Sequence, residues 1–208
     1  MSDRHRGPSG APPPPPDLTI IKLPTTVLPA GMTFIRVHPL AHGPIHFSPG
    51  HGRPALGRFD SAAGSFGVLY VAMTLGGAVV ETLFRKPARR LISIDDLSHR
   101  GISALVANRD LMVVDLRGPG LQQLGLDGTI NTGPYENCGL WADELFAHPE
   151  HPDGLLYPSR HDPSEACLAL FERDDLVVTV THDPIPLHSI MPQVTEALRR
   201  YGKGLESG

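Results

Sequence analysis

Several features that would assign a chain to a particular class of protein are scarce in these 208 residues. There are two cysteines, Cys138 and Cys167, and they form no CxxC or comparable spacing. Neither a disulfide framework nor a structural zinc site is therefore indicated, and a reducing cytoplasm fits best. No apolar run approaches the roughly 20 residues that a membrane span needs, and no secretion signal is recognisable near the N-terminus.

Positive charge is also scarce. The chain has 18 Lys and Arg against 22 Asp and Glu, which gives a formal net charge of -4 at pH 7. A protein that binds nucleic acid or an anionic membrane normally carries a basic footprint. We therefore expect neither nucleic acid nor membrane to be a direct partner.

Glycine and proline, with 22 residues each, are abundant and predict many loops. Residues 12–16 are consecutive prolines, which restrict φ and remove backbone donors. We expect residues 1–17 to form a disordered, proline-rich tail. Residues 18–208 are enough for one domain with a sizeable core and too few for two full domains.

The apolar pattern predicts many short strands and few helices. Strands are predicted over residues 33–38, 67–72, 91–94, 102–106, 111–115, 154–157, 166–171 and 176–180. Helices are predicted over 74–85, 135–146 and 193–201, a brief turn at 93–97, and a long loop at 41–65 around an extended piece at 45–47. Because strands and helices do not alternate regularly, an α+β fold is favoured over a doubly wound sheet.

The common signatures of nucleotide-binding and hydrolase sites are absent. The sequence contains no GxxxxGK[ST], no GxGxxG after a strand, no HExxH and no GxSxG. His38, His42 and His46 are spaced by four residues, but the prolines and the glycine between them prevent the helix that would align them on a metal. We predict no metal site.

Polar residues interrupt several apolar or tightly turned segments, at Arg36, Arg58, Glu81 and Ser159. Ordinary structural explanations exist: Arg36 can pair with an acidic neighbour, Arg58 can cap a loop, and Ser159 can cap a turn. Tyr70, in the middle of a predicted strand, can be a core residue with a satisfied hydroxyl.

The helix predicted over 74–85 is apolar except for a narrow stripe of Gly77, Glu81 and Arg85. One interpretation is a surface ion pair, because a glutamate four residues before an arginine is the favourable orientation. The other is a cleft wall, in which Gly77 allows a close approach and Glu81 presents a carboxylate that can stabilise a cation. The helical pattern alone leaves both open.

The segments FIR, GRFD, LYVA and GLLYPSR occur in this order, with a glutamate eleven positions after the tyrosine of LYVA, and together they resemble the RES-domain family. The resemblance spans residues 32–180. Members of this family, named for its Arg, Glu and Ser, are similar to ADP-ribosyltransferases in fold, with mixed or antiparallel sheets and a few flanking helices. Their reported activity is NAD breakdown, in some members through attack by phosphate, and several are toxins paired with a helix-turn-helix antitoxin.

The resemblance assigns the family's site residues, motif by motif, to Arg36, Arg58, Tyr70, Glu81 and Ser159. It implies that Glu81, Arg36 and Ser159 are catalytic. It implies NAD and phosphate contacts by Arg36, Arg58, Tyr70 and Ser159. Glu81 would stabilise the cationic ribose left by nicotinamide, and the arginines would bind phosphate oxygens. Tyr70 would pack against nicotinamide or ribose, and the Ser159 hydroxyl would orient phosphate or the nicotinamide amide.

The implied function is a cytoplasmic toxin that is an NAD phosphorylase or NAD glycohydrolase, with NAD as substrate, phosphate as co-substrate and no prosthetic group. A mono-ADP-ribosyltransferase that modifies a macromolecule and a non-catalytic partner-binding module are the alternatives. A helix-turn-helix antitoxin is the expected partner, and a homo-oligomer is left open. The chain departs from the family pattern at Val37, where some members carry an aromatic residue, and in its proline-rich N-terminus.

Overall fold

The computed structural model of the protein describes residues 10–49 and 52–206. The strands of this part are β1 (Thr25–Leu28), β2 (Phe34–Pro39), β3 (Val68–Ala72), β4 (Leu91–Ser93), β5 (Arg100–Ala107), β6 (Leu111–Asp115), β7 (Gly154–Pro158), β8 (Ala166–Phe171), β9 (Val178–Val180), β10 (Ile185–Pro186) and β11 (Gly204–Glu206). The α-helices are α1 (Leu75–Leu83), α2 (Ile94–Ser98), α3 (Pro119–Gln123), α4 (Thr129–Thr132), α5 (Cys138–Phe146) and α6 (Met191–Arg200). Short 3₁₀ helices lie at Leu18–Ile20 and Leu187–Ile190. No helix within the described ranges has the length and apolarity to cross a membrane.

Nine of the strands form one sheet, in the order β1-β6-β7-β8-β3-β2-β5-β10, with β9 also paired to β5. β6 and β7 are parallel, and the other pairs of this sheet are antiparallel. β4 and β11 form a separate parallel pair. The predicted α+β fold is confirmed.

Successive residues of β3 alternate between two apolar cores, one on each face of the sheet. Val68 and Ala72 belong to the larger core, which packs the helices against the sheet. Leu69 and Val71 belong to the smaller core on the opposite face. Because both faces are covered, β3 has a nearly continuous apolar sequence.

The strands β2 and β3 separate partway along their length. β2 pairs with β5 from Phe34 to Pro39, whereas its register with β3 consists of one pair, Ile35 opposite Ala72. Beyond Ile35 the two strands no longer share a ladder, so the sheet opens there. The opening places the polar side chains of β2 beside α1, which follows β3.

Helix α1 follows β3 directly, as predicted, and begins where Thr74 caps it. The Thr74 hydroxyl accepts a hydrogen bond from the Gly77 amide at 2.9 Å. The helix ends at Leu83 rather than at residue 85. A Cβ at Gly77 would lie 3.2 Å from the Cβ of Ala72, so the group that approaches this glycine is the protein's own strand and not a ligand.

Several predicted elements have different ends in the structure. The turn predicted at 93–97 is the helix α2, and the helix predicted over 135–146 begins at Cys138. The strand predicted over 176–180 begins at Val178. Helix α6 begins at Met191, two residues before its predicted start at 193.

The long loop at 41–65 is present, but the extended piece predicted at 45–47 is not a strand. Next to it, Ser48 forms an isolated bridge with Val68. The sequence also failed to predict five short elements: β1, β10, β11, α3 and α4. Each has five residues or fewer and, unlike the equally short strands β3 and β6, no run of apolar residues that would mark it in the sequence.

Residues 10–17 contact the domain, which differs from the predicted disordered tail. Ala11 is 2% exposed, and its carbonyl accepts a hydrogen bond from Asn137 Nδ2 at 2.7 Å. The indole Nε1 of Trp141 donates to the Pro12 carbonyl at 2.8 Å. Carbonyls of an extended proline run have no partner within the run, so they are available to side chains at and before α5. The first nine residues of the predicted tail lie outside the described residues.

Candidate active site

A cleft of about 650 Å³ opens where β2 and β3 separate. Its walls come from β2, the GRFD loop, β3, α1 and the residues that end and follow β7. A volume of this size is typical of pockets that bind small molecules and cofactors. Four residues that the sequence singled out line it: Arg36, Arg58, Tyr70 and Glu81.

Glu81 presents its carboxylate to the cleft from α1, where it is half-buried. Its Oε1 accepts a hydrogen bond from the Ser159 hydroxyl at 2.5 Å. Among the described residues no hydrogen bond reaches its Oε2. The protein therefore holds one carboxylate oxygen and leaves the other available to a ligand.

The surface ion pair that the sequence left open between Glu81 and Arg85 is absent from the described contacts. Arg85 Nε donates instead to the backbone carbonyl of Glu81, at 2.9 Å. This bond satisfies a carbonyl near the end of α1 and leaves the carboxylate unneutralised. The cleft-wall interpretation of Glu81 is the one that the structure supports.

Ser159 follows β7 directly and is 1% exposed. Its hydroxyl donates to Glu81 and accepts hydrogen bonds from the amides of His161 and Asp162, at 3.1 Å and 3.3 Å. These three bonds use the full capacity of a hydroxyl. In the structure the Ser159 hydroxyl is therefore directed at Glu81 and not into the cleft, and it acts as a positioning residue.

Arg36 lies on β2 at the opening of the sheet and is half-buried. Its Nη1 donates to the carbonyls of Pro44 and His46, at 2.7 Å and 3.4 Å. Burial lowers the pKa of this guanidinium below its usual value, although arginine remains protonated at neutral pH. No carboxylate of the described chain pairs with Arg36, so the acidic neighbour considered from the sequence is not found.

Arg58 is buried at the cleft wall. Its Nη1 donates to the carbonyls of Ile130 and Gly133, at 3.1 Å and 2.8 Å. Its guanidinium carbon lies 4.3 Å from the centroid of the Tyr135 ring. Within the described residues its buried Nη2 has no hydrogen-bond partner. A buried charged donor without an acceptor is costly, so an anionic ligand that reached it would gain a strong hydrogen bond.

Tyr70 lines the cleft, but its hydroxyl is bonded within the protein. It donates to Asp60 Oδ1 at 2.8 Å and accepts from the Phe59 amide at 2.9 Å. Burial and the Asp60 carboxylate raise the pKa of Tyr70 well above its usual value. Asp60 also accepts from two amides of its own loop. Tyr70 and Asp60 therefore hold the GRFD loop in place; Asp60 was not selected from the sequence, although it ends the GRFD motif.

The family model described as RES domain matches residues 33–189. All five residues singled out in the sequence lie within this range. The chain belongs to the RES-domain family. The resemblance noted over residues 32–180 is thereby confirmed.

One curated relative of this RES domain is named "Probable toxin y4kH" and comes from Sinorhizobium fredii (strain NBRC 101917 / NGR234). The two are 31% identical over 83 residues, which are 39% of this chain and 65% of the relative. The match therefore spans less than two thirds of the relative's own length.

A chain in the crystal structure of the M. tuberculosis MbcT-MbcA toxin-antitoxin complex has a similar fold. The TM-score is 0.52 at 17% sequence identity, and the match covers 80% of this chain and 90% of that chain. At this identity the likeness concerns the fold alone. It shows that the two chains share a fold, which here is a mostly antiparallel sheet with a few helices.

The charge of the cleft differs in sign from that of the whole chain. Five arginines line it: Arg36, Arg58, Arg85, Arg100 and Arg160. The lining carboxylates are Asp60 and Glu81. The ion pairs formed by the described residues include none of these five arginines. The cleft of this RES domain is therefore suited to an anionic ligand, although the chain carries a net charge of -4.

Three histidines line the cleft: His38, His46 and His161. In the described ranges no group of three or more His, Cys, Asp or Glu could hold a metal ion. His38 Nδ1 lies 3.0 Å and 3.2 Å from the carbonyls of Pro39 and His42, and its Nε2 lies 2.9 Å from Ser103 Oγ. Because carbonyls only accept, Nδ1 carries a proton. Burial lowers the pKa of His161, which keeps this cleft imidazole neutral near pH 7.

The loop that follows β7 is fastened to the helix that carries Glu81. The Ser159 amide donates to the Glu165 carbonyl at 2.8 Å, and the Glu165 carboxylate accepts a hydrogen bond from Thr74, the cap of α1. Tyr201, which follows α6, donates to Asp162 Oδ2 at 2.6 Å. The loop and α1 are thus joined at several points, which keeps the Ser159 hydroxyl on the carboxylate that it positions.

We expect Ser159→Ala to lower kcat for the reaction of this site about tenfold and to leave KM nearly unchanged. The Glu81 carboxylate would lose the hydrogen bond that fixes its position, whereas no contact with the ligand would be removed. It should also lower the free energy of unfolding by about 1–2 kcal/mol, since two partly buried amides lose their acceptor. Steady-state kinetics and thermal unfolding measure the two effects.

Ser61→Ala is the matched control for this substitution. Ser61 is also buried, and its hydroxyl donates to Asp143 at 2.6 Å and accepts from the Ser65 amide at 3.0 Å. The control should lose stability and keep kcat. An equal loss of kcat in both variants would contradict a specific role of Ser159 at Glu81.

Proposed function

We propose that this RES domain cleaves NAD at the bond between nicotinamide and ribose. The observation that supports this most is the Glu81 carboxylate, with one oxygen held by Ser159 and the other unpartnered among the described residues, in a cleft lined by arginines. One fixed negative group in positive surroundings suits a substrate that is anionic overall and becomes cationic at one atom in the transition state. NAD has both properties, because its pyrophosphate is anionic and its ribose becomes cationic as nicotinamide leaves.

Glu81 would act on the ribose. When the C1″–N bond breaks, its electron pair stays with nicotinamide, which departs neutral and needs no general acid. Positive charge develops on C1″ and the ring oxygen, as in glycoside hydrolysis, and the Glu81 carboxylate stabilises it. Attack on C1″ by phosphate gives ADP-ribose-1″-phosphate, whereas attack by water gives ADP-ribose and a proton.

The arginines would bind the anionic part of the substrate. A guanidinium binds phosphate oxygens through parallel N–H groups, and it does not lose its charge at neutral pH. Arg36 and Arg58 lie in the same cleft as Glu81 and have donors that no described carboxylate occupies. They are the residues that we assign to the pyrophosphate and to an attacking phosphate.

We further propose that the protein is a toxin restrained by an antitoxin. The name of the S. fredii relative and the toxin-antitoxin complex among the fold neighbours support this. Unrestrained cleavage would exhaust cellular NAD, so a partner that covers the cleft is required. A helix-turn-helix antitoxin would also supply any DNA contact, which this chain, with its net charge of -4, is not suited to make.

The purified protein incubated with NAD, with and without phosphate, tests the activity. We expect nicotinamide release, with ADP-ribose-1″-phosphate as the second product if phosphate attacks and ADP-ribose if water attacks. Mass spectrometry separates the two, and labelled NAD in a lysate detects transfer to a macromolecule. No nicotinamide under either condition would contradict the proposal.

A further inference from the structure

Tyr157 lines the cleft, and neither the sequence analysis nor the site described above gives it a role. It lies on β7, two residues before Ser159, opposite Cys167 of β8. It is 8% exposed, and it lines the cleft. Its ring packs edge-on against Phe59, with the two ring centroids 5.0 Å apart.

The hydroxyl of Tyr157 has no hydrogen-bond partner in the described part of the chain. The hydroxyl of Tyr70, which also lines the cleft, has two partners, Asp60 and the Phe59 amide. An unpaired hydroxyl on a cleft wall is free to donate a hydrogen bond to a ligand that binds there. Tyr157 therefore contributes polarity to the cleft that the fold itself does not use.

The neighbours of Tyr157 belong to the same cleft. Cys167, the residue opposite Tyr157 on β8, lines the cleft, and so do Glu81 and Arg58. Burial, assisted by Cys167 and Glu81, raises the pKa of Tyr157 well above its usual value. The hydroxyl therefore stays protonated and can donate a hydrogen bond across the neutral pH range.

We propose that Tyr157 is a further substrate-binding residue, whose hydroxyl donates a hydrogen bond to an oxygen of the ribose that loses nicotinamide. This inference rests on the proposed function. In the proposed function Glu81 acts on the reacting carbon of that ribose and Arg58 binds the pyrophosphate, and Tyr157 lines the same cleft as both. The ribose is the part of NAD that joins these two ends, and its hydroxyl oxygens are acceptors.

Tyr157→Phe tests the inference because it removes the hydroxyl and keeps the ring against Phe59. We expect kcat/KM for nicotinamide release to fall about tenfold, with an unchanged thermal midpoint, because the hydroxyl has no bond to lose among the described residues. Calorimetry with NAD on a Glu81→Gln background, where turnover does not interfere, should show several-fold weaker binding when Tyr157→Phe is added.

Tyr70→Phe is the control, since it removes a hydroxyl with two internal partners and should lower the thermal midpoint. Wild-type kcat/KM and NAD affinity in Tyr157→Phe would overturn the inference, and so would a loss of activity that merely follows a loss of stability. If the wild-type protein releases no nicotinamide, the proposed function fails and this inference fails with it. An active wild type with an unaffected Tyr157→Phe variant overturns the inference alone.

Discussion

Replacing Glu81 by glutamine is expected to lower kcat for nicotinamide release by about 100-fold or more, the scale found when a main electrostatic group is removed from an active site. Glutamine has nearly the same shape, and its amide oxygen can still accept the hydrogen bond from Ser159. It carries no negative charge, however, so the cationic ribose loses its stabilising partner. Initial rates of nicotinamide release measure the effect, and calorimetry should show that NAD still binds.

Glu144→Gln provides the control for this experiment. Glu144 is exposed on α5 and does not line the cleft. The same chemical change at that position should leave both kcat and KM at their wild-type values. Wild-type kcat in Glu81→Gln would remove this carboxylate from the mechanism and with it the proposed chemistry.

Arg58→Lys is expected to raise KM for NAD at least about tenfold and to lower the free energy of unfolding by about 1–3 kcal/mol. The ammonium group keeps the charge, but it cannot reproduce the planar guanidinium that bonds the carbonyls of Ile130 and Gly133. The substitution also removes the guanidinium plane that lies beside the Tyr135 ring, and with it the Nη2 that has no partner among the described residues. Steady-state kinetics and chemical denaturation measure the two effects.

Arg173→Lys separates the effect on NAD from the effect on stability. Arg173 Nη2 also donates to two backbone carbonyls, of Phe146 and Pro152, at 2.8 Å and 2.7 Å. Its guanidinium carbon lies 4.0 Å from the Phe146 ring centroid, and it does not line the cleft. The control should lose comparable stability and keep its KM. If Arg173→Lys raised KM as much as Arg58→Lys, the effect at Arg58 would belong to the fold and not to the ligand.

The parts of the fold that could be predicted are those with a long local pattern. The strand–helix unit of β3 and α1 was recognised because an apolar run is followed by Thr74, a good cap, and then by a nearly enclosed helix. The strand β1 has four residues and pairs with Leu111–Asp115, more than eighty residues away, so nothing nearby in the sequence indicates it. The contact of residues 10–17 with α5 was unpredictable for the same reason.

The candidate site could be predicted as a set of residues but not as a set of contacts. The motifs identified Arg36, Arg58, Tyr70 and Glu81, and the structure brings these four to one cleft. Ser159 was assigned to a ligand, whereas its hydroxyl bonds to Glu81. Three arginines of the cleft were not selected, because a surface arginine and a cleft arginine look alike in a sequence of mixed charge.

By itself, the sequence determined the α+β class, the RES-domain family and the residue types that the chemistry requires. Local periodicity and short motifs carry that information, because they depend on neighbours along the chain. Only the tertiary structure decided that Glu81 faces Ser159, 78 positions away, that five arginines share one cleft, and that Tyr157 presents a hydroxyl without an internal partner among the described residues. These facts depend on where β2 and β3 separate and on how β7 meets α1, and strand register between distant segments is a property of the whole fold.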